Sequence, residues 1–281
     1  MSLLEVLQGA SSYLLKQGVD QPRLNAEHLL AHVLGIKRLE LYLQFDRPLG
    51  EQERAPLREL IRRRGTGVPL QHLLGTVEFY GRIFKCDRRA LIPRPETEQL
   101  VERSLTYASL TSIMDVATGS GVIPLSLALE RPGVSIAATD ISSDALSLAR
   151  ENAALLGVQD VRFFEADLLP GDSKDDRFDL ITANLPYISS GDIPNLAREV
   201  QQDPLLALDG GSEGLDLILR LIPLAASRLA PGGHLLLEIG KGQDQKVIES
   251  LMAHNYRDIL ALPDYQGVLR FIEAVGGNET G

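Results

Sequence analysis

Along the first quarter of the chain, apolar residues recur every three or four positions, the interval that gathers them on one face of a helix. Leu3, Leu4, Leu7, Tyr13 and Leu14 form one such stripe, and Ser2 followed three residues on by Glu5 has the spacing of a capping box at its start. The pattern predicts further helices over residues 21–34, 37–43 and 51–64, with Pro22 in a first turn and Gly35 as a stop. Gly65, Gly67 and Pro69 interrupt it before a single helical turn over Leu70–Leu74. Over residues 76–87 the period becomes alternating around Gly81, which predicts a hairpin connecting two domains.

After Pro93, short apolar runs alternate with helical segments, the signature of a parallel sheet covered on both faces. The predicted strands are residues 113–117, 135–139, 161–164, 178–183, 234–239, 259–262 and 268–275. Residues 263–267 are too few for a helical crossover, so one of the last two strands runs antiparallel. The expected architecture is α/β: a small all-α domain over residues 1–75, a β-hairpin linker over 76–92, and a seven-stranded sheet domain over 93–281. The polar stretch 276–281 is expected to fray.

Composition narrows the class of protein. With 281 residues, 44% hydrophobic and 23% charged, the chain can build a sizeable core, which excludes wholesale disorder and fibrous repeats. The single cysteine, Cys86, rules out an internal disulfide, and without a Cys-x-x-Cys pair there is no zinc ribbon or iron-sulfur motif. No apolar run reaches about 18 residues, and the first sixteen residues lack a cationic leader, so a soluble cytoplasmic protein is expected. Residues 1–92 carry 14 Lys and Arg against 10 Asp and Glu, and residues 93–281 carry 14 against 28. The basic front, densest at Arg62, Arg63 and Arg64, is either a surface for an acidic partner or a solvated helix face.

Candidate chemistry lies at the ends of the predicted strands. The first leads into Asp115-Val116-Ala117-Thr118-Gly119-Ser120-Gly121 and then a helix, a turn whose backbone N–H groups can meet a negative group. Pro124 stands where the dinucleotide fingerprint needs its third glycine, so a ligand with one carboxylate suits the turn better than a pyrophosphate; a purely structural turn is the alternative. Asp140 ends the second strand 21 residues beyond Gly119, where a carboxylate can accept from both hydroxyls of a ribose. Asp167 and Leu168 follow the third strand, and Asp167 can accept from an adenine amino group. This order of parts resembles the S-adenosylmethionine-dependent class I methyltransferases.

The fourth strand ends in Asn184-Leu185-Pro186-Tyr187. Methylation of a planar amino group needs acceptors for its N–H bonds, so that the nitrogen lone pair is aimed at the methyl rather than delocalised. The Asn184 side-chain oxygen and the Leu185 carbonyl can be those acceptors, Pro186 stiffens the turn, and Tyr187 offers a ring face. Read alone, the tetrapeptide is an ordinary Asn-x-Pro turn; the three preceding strand ends turn the reading towards a site.

Nearly the whole chain resembles the HemK/PrmC family, the protein-(glutamine-N5) methyltransferases that modify peptide-chain release factors. The resemblance is carried by Pro69 to Gly75, Phe79-Tyr80-Gly81-Arg82, Leu91-Ile92-Pro93-Arg94-Pro95-Glu96-Thr97-Glu98, Thr118 to Gly121, Asn184 to Ile188, Ala207 to Gly211, and Glu238-Ile239-Gly240 with Gln243. It implies that Ala117, Thr118, Gly119, Ser120, Gly121 and Asp140 hold S-adenosylmethionine (product S-adenosylhomocysteine), with Asp167, Leu168 and Asn184 beside it. It also implies that Asn184, Leu185, Pro186 and Tyr187 bind the target, the glutamine of the Gly-Gly-Gln motif in class I release factors, with Asn184, Pro186 and Tyr187 as the catalytic set. Three positions depart from the family pattern: Leu185 replaces a proline, Ala117 a glycine and Leu168 a tryptophan.

Asn-Leu-Pro-Tyr is also the form found in adenine-N6 methyltransferases of ribosomal RNA, so nucleic-acid amino-methylation is the alternative. Those enzymes carry their extra domain after the sheet, and a net charge of −10 does not suit a grip on phosphates. No direct nucleic-acid contact, no membrane, no metal and a monomeric chain are expected. His28 and His32, four apart on one helix, lack the Glu of His-Glu-x-x-His and read as ordinary helix residues, Cys86 as a packing residue, and Arg94, Glu96 and Glu98 as the opening of a helix that can help shape a cleft.

Overall fold

The computed structural model describes residues 1–171 and 177–277, so residues 278–281 of the predicted frayed tail lie outside the described residues. The chain divides into two compact units, one formed by Met1–Thr76 with Ala197–Gln202, the other by Val77–Leu196 with Asp203–Gly281.

The first unit is helical. Helix α1 (Leu3–Lys16) opens on the capping box: Glu5 N–H donates to Ser2 Oγ (3.2 Å) and Ser2 N–H to Glu5 Oε2 (2.7 Å). Helix α2 (Pro22–Leu34) ends at Gly35, whose left-handed backbone closes the last turn. A 3-10 turn over Arg38–Leu43 precedes α3 (Glu51–Gly65) and α4 (Leu70–Leu74). Their apolar stripes meet in one core around Leu3, Leu7, Leu14, Leu29, Leu30, Leu57, Ile61 and Leu73. The predicted basic cluster is largely neutralised. Arg62 pairs with Glu59, while Arg64 is buried, donating to Asn25 Oδ1 (2.7 Å) and to the Val68 carbonyl (3.2 Å) and pairing with Glu199.

The second unit begins with the hairpin β1 (Thr76–Phe79) and β2 (Arg82–Lys85), whose Phe79 and Phe84 meet edge to face and are fully buried. After α5 (Pro95–Ser104), strands and helices alternate: β3 (Ser112–Val116), α6 (Val122–Glu130), β4 (Ser135–Asp140), α7 (Ser143–Leu156), β5 (Val161–Glu165) and β6 (Phe178–Asn184). Helix α8 (Asp216–Ala226), β7 (Leu229–Glu238), α9 (Asp244–Ala253), β8 (Arg257–Pro263) and β9 (Leu269–Val275) complete it. The sheet order is β5-β4-β3-β6-β7-β9-β8, and β9 runs antiparallel to both of its neighbours. Strand β7 starts five residues before the predicted boundary. Leu229 already pairs with Phe178, and a register shift between Phe178 and Leu180 absorbs the Pro231-Gly232-Gly233 stretch that reads as a turn.

Alternation along the strands assigns the two faces. Leu235, Leu237 and Ile272 pack under α8 and α9, whereas Leu236 and Phe271 pack with α5, α6 and the hairpin aromatics. Among the described residues no helix is long and apolar enough to cross a membrane. Replacing the fully buried Leu236 with alanine is expected to cost about 2 to 5 kcal/mol in chemical denaturation. The exposed Leu43→Ala change should stay within about 0.5 kcal/mol, and equal effects would contradict this placement of the core.

Candidate active site

The strand order reverses between β3 and β6, which sends the chain to opposite sides of the sheet and leaves a crevice at the carboxyl ends of these two strands. Register brings the candidate residues together there. Val116 pairs with Ala183 and with Thr139, Asp140 with Glu165, and Asn184 with Glu238. The resulting cavity of about 350 Å3 lies wholly within the second unit and is of nucleoside-ligand size. Ala117, Thr118, Gly119, Ser120, Asp140, Asp167, Leu168, Asn184, Leu185 and Pro186 line it; Gly121 and Tyr187 do not.

The turn after β3 is bound tightly to β4. Thr118 N–H donates to the Thr139 carbonyl (2.8 Å) and Gly119 N–H to Asp140 Oδ2 (2.8 Å), while Ser142 N–H takes Asp140 Oδ1 (2.9 Å). Burial raises the Asp140 carboxyl above the ordinary range, against the pull of these N–H groups. Gly121, outside the cavity lining, caps α6 at φ 81°, where a Cβ would press to 3.0 Å from that of Ala149. Two of the departures from the family pattern also have left-handed backbone: Ala117 at φ 57° and Leu168 at φ 67°. Side chains rarely adopt that region, and Leu168 is held in it by the Thr139 hydroxyl, which donates to its carbonyl (2.6 Å). Asp167, read as an adenine partner, lines the cavity and pairs with Arg220 of α8 (2.6 Å), both side chains being about half exposed. Asp115, behind the turn, is wholly buried and accepts from Thr182 Oγ1 (2.7 Å).

On the β6 side, Asn184 Nδ2 donates to Thr97 Oγ1 (3.1 Å), which turns Oδ1 away from α5. The Thr97 hydroxyl donates in turn to Glu238 Oε2 (2.8 Å), and the Tyr187 hydroxyl reaches Glu238 Oε1 (3.4 Å). Tyr187, in the loop after β6, is thereby tied to the end of β7. Gln243 holds the same loop from below, donating to the Tyr187 and Gly214 carbonyls (2.9 and 3.1 Å) while accepting from Gly240 N–H (2.8 Å). Gly210 lies so close that a Cβ would come within 2.5 Å of the Pro186 carbonyl oxygen.

Several of these residues carry no readable role in the sequence. Thr97, Glu238 and Gln243 lie inside segments that carry the family resemblance, which marks them without saying what they touch. Arg94 pairs with the buried Asp203 (2.8 Å), which also accepts from Ile92 N–H (3.3 Å). Arg220 has no sequence signal. Glu98, in the first turn of α5, accepts from Tyr80 N–H (2.8 Å). Cys86 is buried, its thiol pushed up to about 12 by desolvation, as befits a packing residue. Among the described residues no group of three metal-ligating side chains is assembled.

The description "PrmC N-terminal domain" matches residues 5–75, and "Methyltransferase domain" matches residues 108–252. A methyltransferase structure from Pyrococcus furiosus superposes with a TM-score of 0.54 at 17% identity, covering 70% of this chain and 90% of that one. Sheet order, strand-end crevice and domain match together define a class I methyltransferase fold. Release factor glutamine methyltransferases of Geobacter sulfurreducens and Deinococcus radiodurans are 38% and 40% identical to the chain over 273 and 277 residues. The alignments cover 96% of this chain and 95% of the first relative, and 98% of both chains for the second. The chain belongs to the release factor glutamine methyltransferase family.

Two expectations follow from the site's backbone and charges. Ala117→Gly should raise stability by up to about 1 kcal/mol by relieving the left-handed alanine, since that strain exceeds the entropy glycine adds; a clear loss in denaturant midpoint would contradict it. Burial raises Asp115 and Glu238 to about 7 and Asp203 to about 6, so the folded chain binds these protons more tightly than the unfolded one. Their ionisation lowers stability as pH climbs from about 4 through about 7. Glu151, held down at about 2 by hydrogen bonds from Arg89 and Lys85, acts in the opposite sense, its contribution complete above about pH 4.5 and fading below. The melting temperature is expected to peak at about pH 4.5 and to decline from there through about pH 7, and Asp115→Asn to flatten that decline. A melting temperature that climbs steadily to about pH 8 would exclude this charge assignment.

Proposed function

We propose that the chain transfers the methyl group of S-adenosylmethionine to the side-chain amide nitrogen (N5) of the glutamine in the Gly-Gly-Gln motif of class I peptide chain release factors. The names of relatives aligned over nearly the full chain support the substrate, and the orientation of Asn184 carries the chemistry. With Nδ2 occupied by Thr97, the carboxamide presents Oδ1, an acceptor, on the side away from α5. That is the atom type needed to take an N–H of a substrate amide.

The donor set suits the cofactor. A largely apolar cavity of about 350 Å3 has one carboxylate at the end of β4, for ribose hydroxyls, and a glycine turn after β3 that a ligand can approach closely, its Thr118, Gly119 and Gly121 N–H groups already bonded within the protein. Asp140 would hold the ribose, and Leu168 and Asp167 would lie along the base. When bound, S-adenosylmethionine supplies a methyl on a positively charged sulfur, an electrophile that requires no general base beforehand because the amide nitrogen gives up its extra proton to solvent after the transfer.

What the protein contributes is positioning. Asn184 Oδ1 and the Leu185 carbonyl accept the two amide N–H bonds, which withdraws the nitrogen lone pair from conjugation and aims it. Pro186 fixes the direction of the Leu185 carbonyl, so replacing the family's proline by Leu185 keeps the acceptor, which is backbone. Tyr187, tethered to Glu238, closes the loop beside the amide.

The test is to incubate the protein with methyl-labelled cofactor and, separately, a class I release factor and ribosomal RNA, then to locate the label by mass spectrometry. Label is expected on the glutamine nitrogen, and Asn184→Ala should lower kcat by about 100-fold or more while cofactor affinity changes by less than about threefold. Label on RNA adenine, or near-normal turnover by the variant, would refute the assignment.

A further inference from the structure

An asparagine can present either end of its carboxamide, because oxygen and nitrogen are nearly the same shape. At Asn184 only one end serves the reaction, so something must choose. We propose that Thr97 and Glu238 are positioning residues that make this choice: the acceptor-only carboxylate of Glu238 draws the Thr97 proton to itself. The Thr97 oxygen is thereby left as an acceptor for Asn184 Nδ2, with Oδ1 facing the substrate amide. This deepens the proposed function and rests on it.

The geometry fits a one-way relay. Asn184 and Glu238 are direct register partners on adjacent parallel strands, and Thr97 enters from α5 to bridge their side chains at 3.1 and 2.8 Å. Thr97 and Glu238 are nearly free of solvent, so water does not compete for the proton. A hydroxyl has one proton; once it is given to Glu238, the contact with Asn184 admits only a donor from the amide. Were Glu238 protonated or replaced by glutamine, the group at position 238 would be able to donate to Thr97 as well as accept from it, and the direction would no longer be imposed. With the Thr97 proton free to turn to Asn184, the flipped carboxamide becomes populated, presenting N–H groups to N–H groups.

The direction of the relay is therefore tied to ionisation of Glu238. Burial moves this carboxyl towards neutrality, and the groups facing it are Thr97 and Glu96 from α5, Tyr187 from the loop after β6, and Arg270 from β9, itself paired with Asp264. Arg270 and the two hydroxyls favour the ionised form, while burial and Glu96 oppose it.

The experiment measures methyl transfer to a class I release factor by the full chain carrying Thr97→Val, Thr97→Ser or Glu238→Gln, with Asn184→Ala as reference. Cofactor affinity is followed by calorimetry and folding by thermal melting. Thr97→Val and Glu238→Gln are expected to lose about 10- to 100-fold in kcat with cofactor affinity within about threefold. Thr97→Ser, which keeps the hydroxyl, should recover most of the loss. Between about pH 6 and about pH 9 the wild-type rate should fall on the acid side near neutrality, and Glu238→Gln should lack that fall. If Asn184→Ala is inactive while Thr97→Val and Glu238→Gln match wild type, the relay is wrong and the function stands. If Asn184→Ala is active, the function itself fails and the relay with it. Loss of rate in proportion to loss of cofactor binding, with no rescue by serine, would reduce both residues to structural parts and overturn the proposal. Should Glu238→Gln not fold, the valine and serine pair decides alone.

Discussion

A carboxylate buried at the end of a sheet strand must draw donors from the elements around it, because neither water nor an apolar neighbour can satisfy it. Glu238 is 1% exposed, and its donors come from α5, through Thr97, and from the loop after β6, through Tyr187. Those two elements frame the β6 side of the crevice. Satisfying one buried charge therefore also fixes the loop that carries Asn184, and Gln243 and the glycine at position 210 complete its support from the other side.

The β3 side of the crevice is organised by backbone instead. The turn after β3 is held by N–H groups bonded to Thr139 and Asp140, and two residues of its surroundings, Ala117 and Leu168, stay in left-handed conformations that side chains disfavour. Strain of this kind persists where neighbouring hydrogen bonds overdetermine the path, as the Thr139 hydroxyl does at the Leu168 carbonyl. The two sides meet because the sheet reverses its strand order between β3 and β6, which makes Val116 and Ala183 register partners although they lie 67 residues apart in the chain.

Local features were readable from residue order. The capping box at Ser2, the glycine stop at Gly35, the alternation of the strands and the short link before β9 all express local chemistry, and the structure repeats them with boundaries shifted by a few residues. The convergence of Asp140 with the glycine turn was likewise foreshadowed by spacing. What stayed hidden depends on partners distant in sequence. Thr97 and Glu238 are 141 positions apart, and Arg94 and Asp203 are 109 apart. Asp167 is another case: it stands at the cavity wall after β5, where an arginine on α8 also reaches it, a neighbour that no pattern around Asp167 announces. Tyr187 read as a ring face for a planar amide, and nothing around it announces that its hydroxyl reaches Glu238, 51 positions away.

The orientation of Asn184 is most directly tested by a crystal structure of the full chain with S-adenosylhomocysteine and a Gly-Gly-Gln peptide. The glutamine amide nitrogen should lie about 2.7 to 3.2 Å from both Asn184 Oδ1 and the Leu185 carbonyl, with Thr97 still holding Asn184 Nδ2. A peptide glutamine seated elsewhere in the crevice, or an Asn184 turned so that its nitrogen faces the substrate amide, would contradict this view of the site.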